Sequence, residues 1–345
     1  MDDRDFYGLV AARFDERMLG KLALVSRVFR EACAGVLGKG NRPVVDAKLI
    51  TSADEVSWAL SSGRVRTRRD KVRFGSALAA GGSVAALERA REEGCLPEDG
   101  AICAAAAGAR RTDALRWLRD NGYPWDGRTC AAAARGGHAD VVAWAKSQGC
   151  PWDWMATSDA ALGGHLELLK WLRVNGCPWD TCTCSSAARV GHLDVLKWAR
   201  QNGCPWNEWT CSLAADGGHL ELIKWARENG CPWDEWTCSE AAGGGQLEVL
   251  KWVRRNGCPW DEWVFCEAAR RGHMHVIEWA RDNGCPWDQG ACFEAAKCGM
   301  LEALRWLRRE GCPWDQLACA QAARENNHEP VVAWILGKPE DGGDS

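Results

Sequence analysis

Between His219 and Asn229 the apolar side chains fall at Leu220, Leu222, Ile223, Trp225 and Ala226. That spacing of three and four residues is the mark of a helix with one buried stripe. Gly230 follows where a helix ends in left-handed geometry, and Pro232 stands just beyond it. Upstream, Asn207 or Thr210 is placed to cap a shorter helix through Cys211 and Ala214-Ala215 that stops at Gly217-Gly218. The segment therefore predicts helix, tight turn, helix, loop. The pattern returns every 27 residues: a Gly-Cys-Pro-Trp step recurs at Cys150, Cys177, Cys204, Cys231, Cys258, Cys285 and Cys312. Tyr123 fills the same slot one block earlier, and Cys95 the one before that. A tryptophan in the second helix keeps step at Trp117, Trp144, Trp171, Trp198, Trp225, Trp252, Trp279 and Trp306, and again at Trp334 after one inserted residue. One such unit cannot bury its own apolar face, so a period of this length predicts stacked units. The pattern yields ten helix pairs, preceded by a half unit at 52–59 around Trp58.

The run Ala187-Ala188-Arg189-Val190-Gly191-His192-Leu193-Asp194-Val195-Leu196-Lys197-Trp198, followed by Gly203, resembles the core of an ankyrin repeat. The resemblance spans roughly residues 50 to 337. It implies an all-α solenoid of stacked helix-turn-helix repeats. Two features depart from the family pattern. Forms such as Trp236-Thr237-Cys238-Ser239 replace the usual Thr-Pro-Leu-His opening, and the missing length lies between Gly230 and Thr237. The projecting finger of ankyrin repeats falls in that segment, so a short tight loop is expected instead. The organisation expected is a small helical segment at 1–40, an irregular half repeat and basic loop at 41–75, the repeat array at 76–337 and a disordered polar tail at 338–345.

Charge and composition narrow the function classes. The net charge is −4, and 46% of residues are apolar. Residues 1–75 carry 15 Lys/Arg against 10 Asp/Glu, which leaves the remainder net −9. Neither nucleic acid nor a membrane is the expected partner. With no apolar run long enough for a signal peptide or a spanning helix, an intracellular, cytoplasmic monomer is expected. The basic stretch Arg64 to Arg73 is an exposed loop or a nuclear-import signal. Nineteen cysteines without an export signal read as small buried side chains, most on two ladders: the Gly-Cys slot, and Cys103, Cys130, Cys184, Cys211, Cys238, Cys292 and Cys319. The histidine ladder at His138, His165, His192, His219, His273 and His328 places neighbours a helix spacing apart, too far to share one zinc ion, and suits a hydrogen bond across the turn. No phosphate loop, metalloprotease motif or nucleophile elbow is present. No catalytic residue, cofactor or metal is assigned. A thiol- or metal-based redox protein is the competing class.

Side chains repeated in every block read as contacts between blocks, which is how the two main tryptophan ladders are read. Trp209, Trp236 and Trp263 differ, forming a third ladder over only three consecutive blocks. They are candidate partner-binding residues, together with Glu208, Glu235 and Glu262 in the loops. Arg189, Asp216, Glu240, Glu267 and Arg270 join them because their slots change from block to block. By the ankyrin resemblance these positions line an inner face that holds a protein partner, and the glutamates suit a basic one. Leu22-Ala-Leu-Val-Ser-Arg-Val-Phe-Arg-Glu-Ala is similar to the second half of an F-box, the small helical motif that docks onto the adaptor of cullin-type ubiquitin ligases. That resemblance places adaptor docking on Leu22, Val25 and Phe29 and gives the alternative of a ligase substrate receptor.

Overall fold

The computed structural model describes Val56, Ser57, Leu60 and residues 65–337. The F-box-like residues Leu22, Val25 and Phe29, Trp58 of the leading half unit, and the 338–345 tail lie outside the described residues. Contacts divide the chain into two compact units, Met1–Pro178 and Trp179–Ser345.

The first unit holds α1 (Arg68–Gly81), α2 (Val84–Glu92), α3 (Gly100–Gly108), α4 (Thr112–Asp120), α5 (Gly127–Arg135), α6 (Ala139–Ser147), α7 (Trp154–Leu162) and α8 (Leu166–Val174). The second holds α9 (Thr181–Val190), α10 (Leu193–Gln201), α11 (Glu208–Asp216), α12 (Leu220–Glu228), α13 (Glu235–Gly243), α14 (Leu247–Arg255), α15 (Trp263–Arg271), α16 (Met274–Asp282), α17 (Gln289–Lys297), α18 (Leu301–Arg309), α19 (Gln316–Glu325) and α20 (Glu329–Ile335). Among the described residues there are thus ten helix pairs and no strand, as the periodicity predicts. In each unit the odd-numbered helices pack in series, and each also packs on the even-numbered helix that follows it.

The Ala-Ala pairs explain the tight series. Ala187-Ala188, Ala214-Ala215, Ala241-Ala242, Ala268-Ala269 and Ala295-Ala296 are all fully buried, so successive first helices meet with no large side chain between them. Each second helix turns a short apolar stripe inward. Leu222, Ile223 and Ala226 of α12 are buried, as are Val249, Leu250 and Val253 of α14. A buried Leu or Ile contributes about 1.5–3 kcal/mol. Six of the ten described second helices end at an asparagine whose side-chain amide donates to a carbonyl one turn back, as Asn229 Nδ2 does to Trp225 O at 2.8 Å. A glycine in left-handed geometry follows, Gly230 at φ 81°.

The helix starts decide one alternative and correct one expectation. α11 begins after Asn207, not Thr210, which is buried inside the helix. The basic stretch is not a loop, since Arg68 to Arg73 lie in α1. Thr67 caps that helix reciprocally with Asp70, and the favourable cap outweighs the crowding of like charges. Lys71 Nζ reaches back to the Gly94 carbonyl at 2.8 Å.

Candidate partner-binding face

The ladders shared by every block make the frame that positions this face. The Gly-Cys thiols fold back onto the start of their own helix pair. Cys231 Sγ donates to the Asn207 carbonyl at 3.5 Å and Cys258 Sγ to the Asp234 carbonyl at 3.2 Å, with the same bond from Cys204 to Asp180 at 3.4 Å. The two cysteine ladders lie side by side as free thiols, Cys211 next to Cys231 and Cys238 next to Cys258, twenty residues apart in sequence rather than the seven that separate neighbouring ladder members. Burial pushes four of these thiols up, to about 12 for Cys177 and Cys285 and about 11 for Cys103 and Cys319. These are core groups poor in thiolate, a setting that does not activate cysteine. Among the described residues no cluster of three or more His, Cys, Asp or Glu is arranged to hold a metal ion.

The tryptophan ladders pair inside a helix pair and also pack on the neighbouring block: Trp206 meets Trp225 edge-on at 6.0 Å and Trp233 meets Trp252 at 6.1 Å, while Trp233 lies against Cys211, Ala226 and Cys231 of the block before it. Cations strengthen the link from one block to the next. Arg200, Arg227, Arg254 and Arg281 sit 3.9–4.1 Å above the rings of Trp206, Trp233, Trp260 and Trp287. The histidines also bridge blocks rather than their own turn. His219 Nε2 lies 3.2 Å from the Arg189 carbonyl and His273 Nε2 2.9 Å from that of Gly243, at the ends of the preceding first helices. Where glutamine replaces histidine, Gln246 Nε2 makes the equivalent, longer bond to the Asp216 carbonyl at 3.5 Å.

With the ladder cysteines mostly buried and the ladder tryptophans and histidines half-buried against their neighbours, the block-specific residues stand out. Trp209, Trp236 and Trp263 are 45%, 37% and 43% exposed, against full burial of most core side chains. They occupy the first turn of α11, α13 and α15. Trp236 and Trp263 lie 5.8 Å apart with planes inclined by 32°. Glu208 and Glu235 open α11 and α13, and Glu262 caps α15. Trp263, Glu267 and Arg270 fall at i, i+4 and i+7 of α15, so they share one helix face. Trp236 and Glu240 repeat that relation on α13, and Trp209 and Asp216 on α11. Arg189, exposed at the end of α9, occupies the slot of Asp216 one block earlier. The structure therefore places every sequence-predicted residue of the array on, or at the start of, a first helix of the second unit, with Glu208, Glu235 and Glu262 one residue before the tryptophans.

The electrostatics of this face lean negative. Burial, joined by neighbouring Asp216 and Glu267, raises the Glu240 carboxyl above its usual range. Burial first, and then Glu235 and Glu208, does the same for Asp234; burial and Glu262 raise Asp261. Arg271 Nη1 bridges to Asp216 at 3.1 Å, Arg270 pairs with Glu267, and Lys297 pairs with Glu294 at 3.3 Å. The helix starts of the row differ: Asp261 accepts from Trp263 N at 3.1 Å. Asp153, Asp180 and Asp288 each accept a backbone N–H at the start of their helix, whereas Asn207 and Asp234, two residues before Trp209 and Trp236, make no side-chain cap bond. Their Oδ1 atoms are buried without a hydrogen-bond partner.

Sequence reasoning missed a cavity of about 310 Å³ beside the tryptophan row, lined by Asp288, Gln289, Gly290, Phe293 and Asp315 among others. The available signal was Gly290, in the slot held by tryptophan in the three blocks before it. In the first unit the corresponding face is an open trough of about 550 Å³ between alanines of α3 and α5, with Arg135 paired to Asp159 at 2.7 Å on its wall.

No protein-family model matches the sequence, and no curated protein does. Among solved structures, the chain is similar to the human ASB11 ankyrin repeat domain, at 15% identity and a TM-score of 0.39, over 55% of this chain and 99% of that one. Among the described residues no helix is long and apolar enough to cross a membrane.

Proposed function

We propose that this chain is a non-enzymatic interaction scaffold that holds a positively charged protein segment against the first-helix face of its second unit. The observation that carries the reading is the exposure of Trp209, Trp236 and Trp263 in one register over three consecutive blocks; Trp154 of the first unit is exposed as well, at 42%, but stands alone outside that register. An exposed aromatic row marks a contact surface, and aromatic side chains are enriched among those that dominate binding energy. Its setting supports a cationic partner. The five segments 205–212, 232–239, 259–266, 286–293 and 313–320 contain seven carboxylates and no lysine or arginine. The test compares the full chain with a Trp209→Ala/Trp236→Ala/Trp263→Ala variant as bait. A partner kept by the first and lost by the second, then rebound in purified form more weakly at higher salt, supports the reading. Partners shared equally by both baits would refute it.

A second reading rests on the F-box-like run Leu22 to Phe29. In that reading the array selects a target and the N-terminal segment recruits a cullin-type ligase through its adaptor. Co-purification with the adaptor, abolished by Phe29→Asp while the bait keeps its other partners, tests it. Absence of the adaptor from the wild-type eluate would refute it.

A further inference from the structure

We infer that the gap at Gly290 is a seat for one arginine side chain of the bound segment, extending the tryptophan row by two blocks and fixing the segment's register. The inference rests on the docking reading above.

The row runs Trp209, Trp236, Trp263, Gly290, Leu317 at intervals of 27 residues. Four of the five positions expose a large apolar side chain, and Leu317 is 78% exposed. The glycine opens the cavity of about 310 Å³, at the small end of the range for ligand pockets and sized for a side chain rather than a whole metabolite. Its walls suit a guanidinium. Asp288 Oδ1 accepts from Gly290 N at 2.8 Å and Asp315 Oδ1 accepts from Ala318 N at 2.9 Å. Each carboxylate is thereby held by its own helix start with its second oxygen uncommitted. Among the described residues no lysine, arginine or histidine pairs with either one. Phe293 supplies a ring that already draws a cation, with Lys297 Nζ 5.9 Å from its centroid. Two fixed carboxylates and an aromatic wall match the planar, weakly hydrated guanidinium better than a compact ammonium. They fall short of the three ligands a metal ion needs at the least.

A compensating difference lies beneath the gap. The residue 24 positions before each exposed tryptophan is serine, at Ser185, Ser212 and Ser239, but before Gly290 it is Cys266. A Cβ built on Gly290 would stand 3.0 Å from Cys266 Sγ and 2.9 Å from Asp288 Oδ1. The larger sulfur therefore goes with the missing indole.

The experiment measures binding of a fluorescein-labelled dodecapeptide of alternating glycine and arginine to the full chain by anisotropy, with a glycine–citrulline peptide as the uncharged control. Gly290→Trp with Cys266→Ser reproduces the neighbouring blocks and fills the seat; it should weaken binding about tenfold, the effect of one lost charge-assisted contact. Asp288→Asn with Asp315→Asn keeps both helix caps and should weaken it to a similar degree, so the test survives if the first variant does not fold. Glu221→Gln with Glu248→Gln, which removes the same charge from paired surface sites, should leave it unchanged. Binding untouched by both seat variants but lost on Trp209→Ala/Trp236→Ala/Trp263→Ala would overturn the seat and leave the docking reading standing. Loss on the seat variants alone would keep the seat and refute the tryptophan row. Equal weakening by the paired-site control, equal binding of the citrulline peptide, or no binding to the wild type would overturn the inference.

Discussion

Gly217→Ala tests the stacking geometry, because the structure and the intrinsic preference of the residue disagree on its sign. Gly217 ends α11 at φ −74° and ψ −9°, a conformation alanine adopts without strain. On propensity alone alanine should help, through a less flexible unfolded chain, by about 0.4–1 kcal/mol. The stack reverses that. A Cβ at this site would lie 2.6 Å from the Arg189 carbonyl oxygen of the preceding block and 2.5 Å from His219 Nε2. The first obstacle is backbone and cannot swing aside, so the blocks must part; overpacking of this kind costs about 1–3 kcal/mol. Displacing His219 from that same carbonyl removes a hydrogen bond worth about 1 kcal/mol. The net expectation is a loss of about 1–3 kcal/mol. Gly230→Ala separates the two causes. Gly230 has φ 81° with nothing near its absent Cβ, so alanine there meets only left-handed strain of about 1–2 kcal/mol, and Gly230→Asn should recover most of it. Urea unfolding followed by circular dichroism reads all three. A Gly217→Ala protein as stable as wild type would refute the close approach of first helices on which the fold description rests.

Truncating the exposed indoles should leave the fold nearly untouched. Trp209→Ala and Trp263→Ala should each shift stability within about 0.5 kcal/mol, whereas Trp225→Ala, which strips the ring packed on Trp206, should cost about 3 kcal/mol; thermal melts distinguish them, and a collapse on Trp209→Ala would place that ring in the core. Stability should fall on the alkaline side. Cys177, Cys266 and Cys285 are raised by burial to about 12, well above an exposed thiol, so the unfolded chain loses its thiol protons first, and stability present below about pH 9 is lost as pH climbs from there toward 12, at about 1.4 kcal/mol per pH unit for each thiol. The urea midpoint should drop between pH 9 and 10, less steeply in Cys177→Ala/Cys285→Ala; a flat profile would contradict thiol burial. Iodoacetamide at pH 8 should modify Cys95, Cys182 and Cys298, the half-buried thiols of the array, well before the buried cysteines, and uniform labelling would count against the packed interior.

Much of the fold was legible because its signals are local. Leu222, Ile223 and Ala226 face inward for the reason their spacing gives, and Gly230 takes the left-handed geometry its position demands. What the sequence hid is which atoms meet across the turns. Cys231 lies beside Cys211 and bonds to the Asn207 carbonyl because two antiparallel helices return the chain to its start, a separation the shorter interval between ladder members does not suggest. His219 reaches the previous block rather than its own turn because first helices packed on paired alanines bring the Arg189 carbonyl within hydrogen-bond range. Arg64 to Arg73 read as a loop from its charge alone, yet a reciprocal cap between Thr67 and Asp70 was present in the letters. Of the candidate face, the tryptophan row was visible as an interruption of the repeat, while the pocket at Gly290 was not, since an absent side chain leaves a mark only when its neighbours are in place.

The division between repeated and unrepeated positions has a physical basis that bears on specificity. A segment lying along identical rungs could slide by one block and recover every contact, so its register would be undefined at no free-energy cost. The Trp206–Trp225 and Cys211–Cys231 rungs are of that kind and pack against their neighbours in the stack, where the sameness serves folding. Register along the face needs features that differ between blocks: an indole at 209, 236 and 263, a gap at 290, a leucine at 317. Sliding a bound segment by one block toward the N-terminus would lift its cation from between Asp288 and Asp315 onto Trp263. The carboxylates in the same slots there are Asp261 and Asp288, so the difference lies in the indole that stands where Gly290 leaves a gap, and discrimination of this kind works by building an obstacle against the wrong alignment. On this reasoning the irregular positions carry the recognition, and the regular ones hold them at the spacing recognition requires.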